Sequence, residues 1–162
     1  MILAIFEGLI LSFILLLICV NSIKNGPVGG VHYYEQDVKD RVVELGLITH
    51  GEIKRNAAKS GSVFMFFMLI LSPLTVFLIN GAKGFGEGFL QLVVIYMICG
   101  AFDRIFIDWY WVGHTKAWII PGTEDLRLYI TAEDKKKKWI MGTAGMALLA
   151  AILSGIMALI LK

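Results

Sequence analysis

Apolar and polar positions in this chain fall into long blocks and do not alternate. Four apolar blocks, at 2–20, 62–80, 89–111 and 139–161, are separated by polar segments at 21–61 and 113–138 and by one short turn. Each block is close to the roughly 20 residues that a helix needs to cross about 30 Å of hydrocarbon. Lipid offers no partner to an unpaired backbone group, so a spanning segment is a helix or part of a closed barrel. Barrel strands read as short alternating segments, and none occur here. The pattern predicts an all-α polytopic membrane protein, with 1–162 as a single membrane domain of four transmembrane helices. The first block is read as a retained helix, because "MILAIFEG" lacks the basic start of a signal peptide.

The polar segments carry local signals of their own. In "YYEQDVKDRVVELG", Val38, Val42 and Leu45 fall at i, i+4 and i+7 with charges opposite, and Gly46 suits a helix stop. "THGEIKRNAA" restarts with Thr49 and Glu52 in capping-box spacing. These two pieces predict a helical hairpin between helices 1 and 2. Thr131 and Asp134 show similar capping spacing before the fourth block. "GAKGFGEG", at 81–88, has neither the strand nor the lysine of a phosphate-binding loop, and is read as a flexible turn.

Composition agrees with the block pattern: 57% of the chain is hydrophobic and 17% charged, against about 25% charged in soluble domains. The net charge of +2 becomes informative once it is placed along the chain. Six Lys and Arg lie in 21–61, six in 113–138, and Lys83 alone in the second connection. The positive-inside rule then puts both polar segments in the cytoplasm and both termini outside a cell membrane. The Lys135 to Lys138 run reads first as an orientation anchor at anionic membrane lipids. Segment 21–61 balances its six basic residues with five acidic ones, which excludes a nucleic-acid surface.

Chemistry concentrates in "AFDRIFIDWYWVGH", at 101–114. Trp109, Tyr110 and Trp111 are interface-seeking rings and set Asp108 near the membrane boundary. Asp103 and Arg104 then lie deeper. Arg104 and Asp108 are four apart and are expected to pair on one helix face. Asp103 has no such partner, and an ionisable group inside a membrane is a functional candidate by default. The ligand-binding candidates are therefore Asp103, Arg104, Asp108, Trp109 and Trp111. Asp108 and His114 are the catalytic candidates, with Gly113 able to bend the chain so that Asp108 orients His114 as a base. His32 and His50 add no recognised spacing, and "HYYE" at 32–35 is unspecific. Glu7 is read as reaching the outer interface or holding an ion there. "IIPGTEDLRLYI", at 119–130, is expected to fold over the charged helix end.

Two features bear on packing. Pro73 removes a backbone hydrogen bond and bends the second helix. In the fourth helix Thr143, Ala147, Ala151 and Gly155 form a small-residue stripe, beside a second row of Ala150, Ser154 and Ala158. Such stripes let helices approach closely, in a homodimer or against a partner membrane protein through Ala147, Ala151 and Gly155. Cys19 and Cys99 sit in different spans without C-x-x-C spacing and are read as packing thiols. No metal motif is present and the cofactor is unknown. The leading expectation is a small integral membrane protein that binds a hydrophobic or anionic ligand near the cytoplasmic end of helix 3, with transport as an extension. An accessory or structural subunit and a membrane-embedded lipid-modifying enzyme are the alternatives.

Overall fold

The structure is a computed structural model and describes residues 1–126 and 132–161. Among those residues it is all-helical, with four helices long and apolar enough to cross a membrane. In chain order these are α1 (Ile2–Ile23), α3 (His50–Ile79), α4 (Gly84–Val112) and α5 (Ala132–Ile160), with the short α2 (Gln36–Glu44) between the first two.

All but α1 begin well before their apolar blocks, and the reason is visible at α3. Thr49 and Glu52 form a reciprocal cap: the Thr49 hydroxyl accepts from the Glu52 backbone N–H, and the Glu52 carboxylate accepts from the Thr49 N–H at 3.0 Å. The helix is nucleated there, among Lys54, Arg55 and Lys59, and runs on without a break into the second span. The expected hairpin is thus corrected in one respect. Its second arm is the first part of a helix, His50–Ile79, long and apolar enough to span a membrane. The first arm matches its pattern in part. Val38 and Val42 are buried, Leu45 is exposed, and Gly46 ends α2 with a left-handed φ of 69°. Thr131 of the second expected cap lies outside the described residues.

Inside α3, the turns around Pro73 widen. Residues Phe67–Leu71 and Thr75–Ile79 are π-helical, with hydrogen bonds from i to i+5. In that register the missing Pro73 N–H leaves the Met68 carbonyl without its helical donor. Tyr96 of α4 supplies one from its hydroxyl at 2.6 Å. Ser72 and Thr75 donate their hydroxyls to Phe67 and Leu71 carbonyls at 2.8 and 2.9 Å. The carbonyl that Pro73 orphans is therefore satisfied without water.

Helix α4 is central and packs against both α1 and α5, burying Leu92, Ile95, Tyr96 and Cys99. Two cores result. One lies within the bundle and includes Leu11, Met68, Val76, Leu92, Tyr96 and Ala150. The other lies at the end where the connecting segments gather, and includes Val31, Tyr34, Val38, Val42, Ile53, Trp118 and Ile120. Along α5 the bundle takes Ala150 and Ser154, both fully buried. Ala147, Ala151 and Gly155 sit at the margin of that contact, half-buried.

Candidate functional site

The seam between the two cores holds a cavity of about 250 Å³. Its walls are Leu15 and Cys19 of α1, Phe64 of α3, Cys99, Asp103, Ile107, Asp108 and Val112 of α4, and Lys138 and Met146 of α5. Tyr33, Tyr34 and Trp118 from the connecting segments roof it.

That roof is tightly built. Residues Pro27–Tyr33 form a 3-10 turn, and Gly30 lets it press on the end of α1 and on Trp118. A Cβ on Gly30 would stand 2.8 Å from Ile23 and 2.9 Å from Trp118. The Tyr34 hydroxyl donates to the Trp118 carbonyl, and the Trp111 ring meets Trp118 edge-on with centroids 5.1 Å apart. Thr123 is fully buried and donates to the Ile120 carbonyl at 2.8 Å. Arg41 of α2 grips Asp125 with two hydrogen bonds of 3.2 Å. Trp118 therefore covers the charged end of α4, one residue before the 119–130 segment expected to do so, of which 127–130 lie outside the described residues. Burial holds the His32 imidazole below its ordinary pKa, with Lys39 acting in the same direction, and its ring lies beside Tyr33 with centroids 3.9 Å apart.

The carboxylates owe their placement to backbone geometry. Residues Asp103–Val112 are π-helical. Residues five apart then stack on nearly one face, whereas an α-helix would turn them well apart. Asp103 and Asp108 are five apart, and both face the cavity. Asp108 is buried and accepts from Lys138 Nζ at 2.7 Å. Asp103 is half-buried and makes no hydrogen bond or ion pair among the described residues. Two carboxylates and one ammonium give the cavity a net negative charge within a mostly apolar wall.

Other sequence candidates are not brought to this cavity. Arg104 does not pair with Asp108. It turns toward α5, donates Nη1–H to Thr143 Oγ1 at 3.0 Å, and lays its guanidinium over Trp139, 4.9 Å from the ring centroid. His114 does not meet Asp108 either. Its Nδ1 donates to the Trp109 carbonyl at 2.6 Å, closing the end of α4 in an exposed position. Trp109 faces outward beside His114, with ring centroids 4.9 Å apart, and Trp111 supports the roof. Glu7, at the opposite end of the bundle, accepts from Asn80 Nδ2 at 3.0 Å, and the same amide reaches Gln91 at 2.9 Å.

Sequence reasoning missed Lys138 as the partner of Asp108, and Tyr33, Tyr34 and Trp118 as roof. Lys138 is 30 residues from Asp108, beyond any local spacing rule. For the roof one signal was present: "HYYE" and "AWIIPG" are aromatic and apolar patches inside polar segments, which suits a cover better than a solvated loop. Among the described residues no cluster of His, Cys, Asp and Glu could hold a metal ion. Compared with protein-family models, with curated proteins and with solved structures, the chain shows no match.

Proposed function

We propose that this is an integral membrane protein that binds a small hydrophobic ligand carrying a cationic or hydrogen-bond-donating end. The carrying observation is Asp103: a carboxylate without a hydrogen bond or ion pair among the described residues, facing an otherwise largely apolar cavity. Pockets of this kind, apolar with a few convergent polar groups, are the usual form of ligand sites. The ligand's apolar part would lie against Leu15, Phe64, Ile107 and Met146, and its polar end would meet Asp103. An anion is disfavoured in this cavity by the second carboxylate. Charge asymmetry supports an orientation with the roof in the cytoplasm and both termini outside. The intramembrane depth of Asp103 makes transport a natural extension, through a homodimer or a larger assembly.

A second reading, the accessory subunit, draws on the half-buried Ala147, Ala151 and Gly155 margin of α5. Around the Gly155 Cβ position there is open space within 4 Å, enough for another helix to approach. The enzyme reading loses its candidate dyad, since Asp108 and His114 are turned to different partners.

Native mass spectrometry of the protein released from nanodiscs tests the ligand reading. A discrete extra mass on the wild type, reduced about tenfold on Asp103→Asn, is the expected result, the loss of one charged hydrogen bond. Bare protein, or an adduct equally held by both forms, would sink the ligand reading and favour the subunit.

A further inference from the structure

A second hollow, on the outer side of Lys138, has the opposite character. It is a cleft of about 270 Å³ between α4 and α5, lined by Arg104, Asp108, Trp109, Lys135, Lys138 and Trp139. Asp108 and Lys138 neutralise each other at 2.7 Å, which leaves Arg104 and Lys135 as the net charge. Arg104 spends one N–H on Thr143, and neither it nor Lys135 has an ion-pair partner among the described residues. Guanidinium retains several further donors in a fork that matches phosphate oxygens.

The cleft is built to hold that fork. Gly142 faces Arg104 directly: a Cβ there would stand 2.6 Å from Nη2, so any larger residue would push the guanidinium off α5. Trp139 underlies it. Lys135 and Trp139 are four apart on α5, which places both on one helix face. Around the cleft the surface is apolar and exposed at Ile105, Trp109 and Ile140, as expected of a wall that meets acyl chains. The two tryptophans belong at the depth of lipid head groups.

We propose that this cleft binds a phosphate group, the phosphodiester of an anionic phospholipid being one source and a soluble phosphate compound the other. Arg104 takes two phosphate oxygens side by side, Lys135 approaches from the water side, and the lipid chains run down Ile105 and Ile140. The cleft adjoins the Asp103 cavity across the Asp108–Lys138 pair, which lines both, but its cationic groups, Arg104 and Lys135, line only the cleft of the two, and the proposal does not depend on the ligand proposed for the cavity.

The experiment uses the full chain in nanodiscs of phosphatidylcholine doped with phosphatidylglycerol, with retained lipid read by native mass spectrometry. Wild type should keep phosphatidylglycerol selectively. Arg104→Gln and Lys135→Gln should each reduce that retention about tenfold, the loss expected for one charge-assisted contact. Asp103→Asn removes a negative charge close to Arg104 and should retain phosphatidylglycerol at least as well as wild type, so that failure of one site is distinguishable from failure of the other. Should Arg104→Gln fold poorly, Lys135→Gln, at the helix surface, carries the comparison. Excess inorganic phosphate separates the sources: unchanged retention identifies the lipid, and displacement identifies a soluble phosphate. Equal retention of phosphatidylcholine and phosphatidylglycerol, or no change in either variant, overturns the proposal.

Discussion

Single residues here complete hydrogen bonds that the apolar helices leave open. Tyr96 illustrates it. Pro73 was readable in the sequence as a break in the α3 ladder, but the donor that mends it lies 28 residues from the orphaned Met68 carbonyl. Only the packing of α4 on α3 brings the two together. Tyr96→Phe keeps the ring and removes the hydroxyl, so its cost isolates that hydrogen bond. A loss of about 1 kcal/mol is expected, toward the upper part of the range measured for hydrogen bonds between membrane helices. Thermal or denaturant unfolding in detergent micelles would check it. A Pro73→Ala change made on top should recover part of the loss, because the helix could then satisfy its own carbonyl.

At the scale of elements, α4 explains why the charged residues were legible as a group and illegible in their pairings. That they gather at one end of a long apolar helix followed from the apolar block. The pairing of Arg104 with Asp108 assumed α-helical spacing, and the π-helical Asp103–Val112 segment voids that assumption. Asp108 turns to α5 instead and clips the two helices through Lys138. Breaking one side of that clip leaves a buried charge behind. Lys138→Met should therefore destabilise the bundle by about 2 kcal/mol, less than for a fully buried pair because Lys138 is half exposed. Adding Asp108→Asn should restore much of the difference. A double-mutant cycle on melting temperature reads this coupling, and simple additivity of the two changes would argue against the clip.

Across the whole molecule, the number of spans and their approximate positions were legible because hydrocarbon thickness sets a length that composition must meet. Helix starts were less so, since the Thr49–Glu52 cap begins α3 outside its apolar block and α4 begins at Gly84, five residues before its own. A cover over the charged helix end was expected from the sequence, but the cavity's walls were not, because they come from α1, α3, α4, α5 and two distant connecting segments. Orientation can be tested directly, because both native thiols are buried and contribute little background. With a membrane-impermeant maleimide on intact cells, Gly86→Cys should label and Lys116→Cys should not; the reverse pattern would invert the proposed topology. The cavity also bears on cooperativity. It lies at the junction of two hydrophobic cores, so unfolding need not be a single event. The roof can detach from the bundle while the four helices stay inserted, and one melting midpoint would then describe neither half. A molecule lodged in the junction would join the halves and merge the two transitions into one.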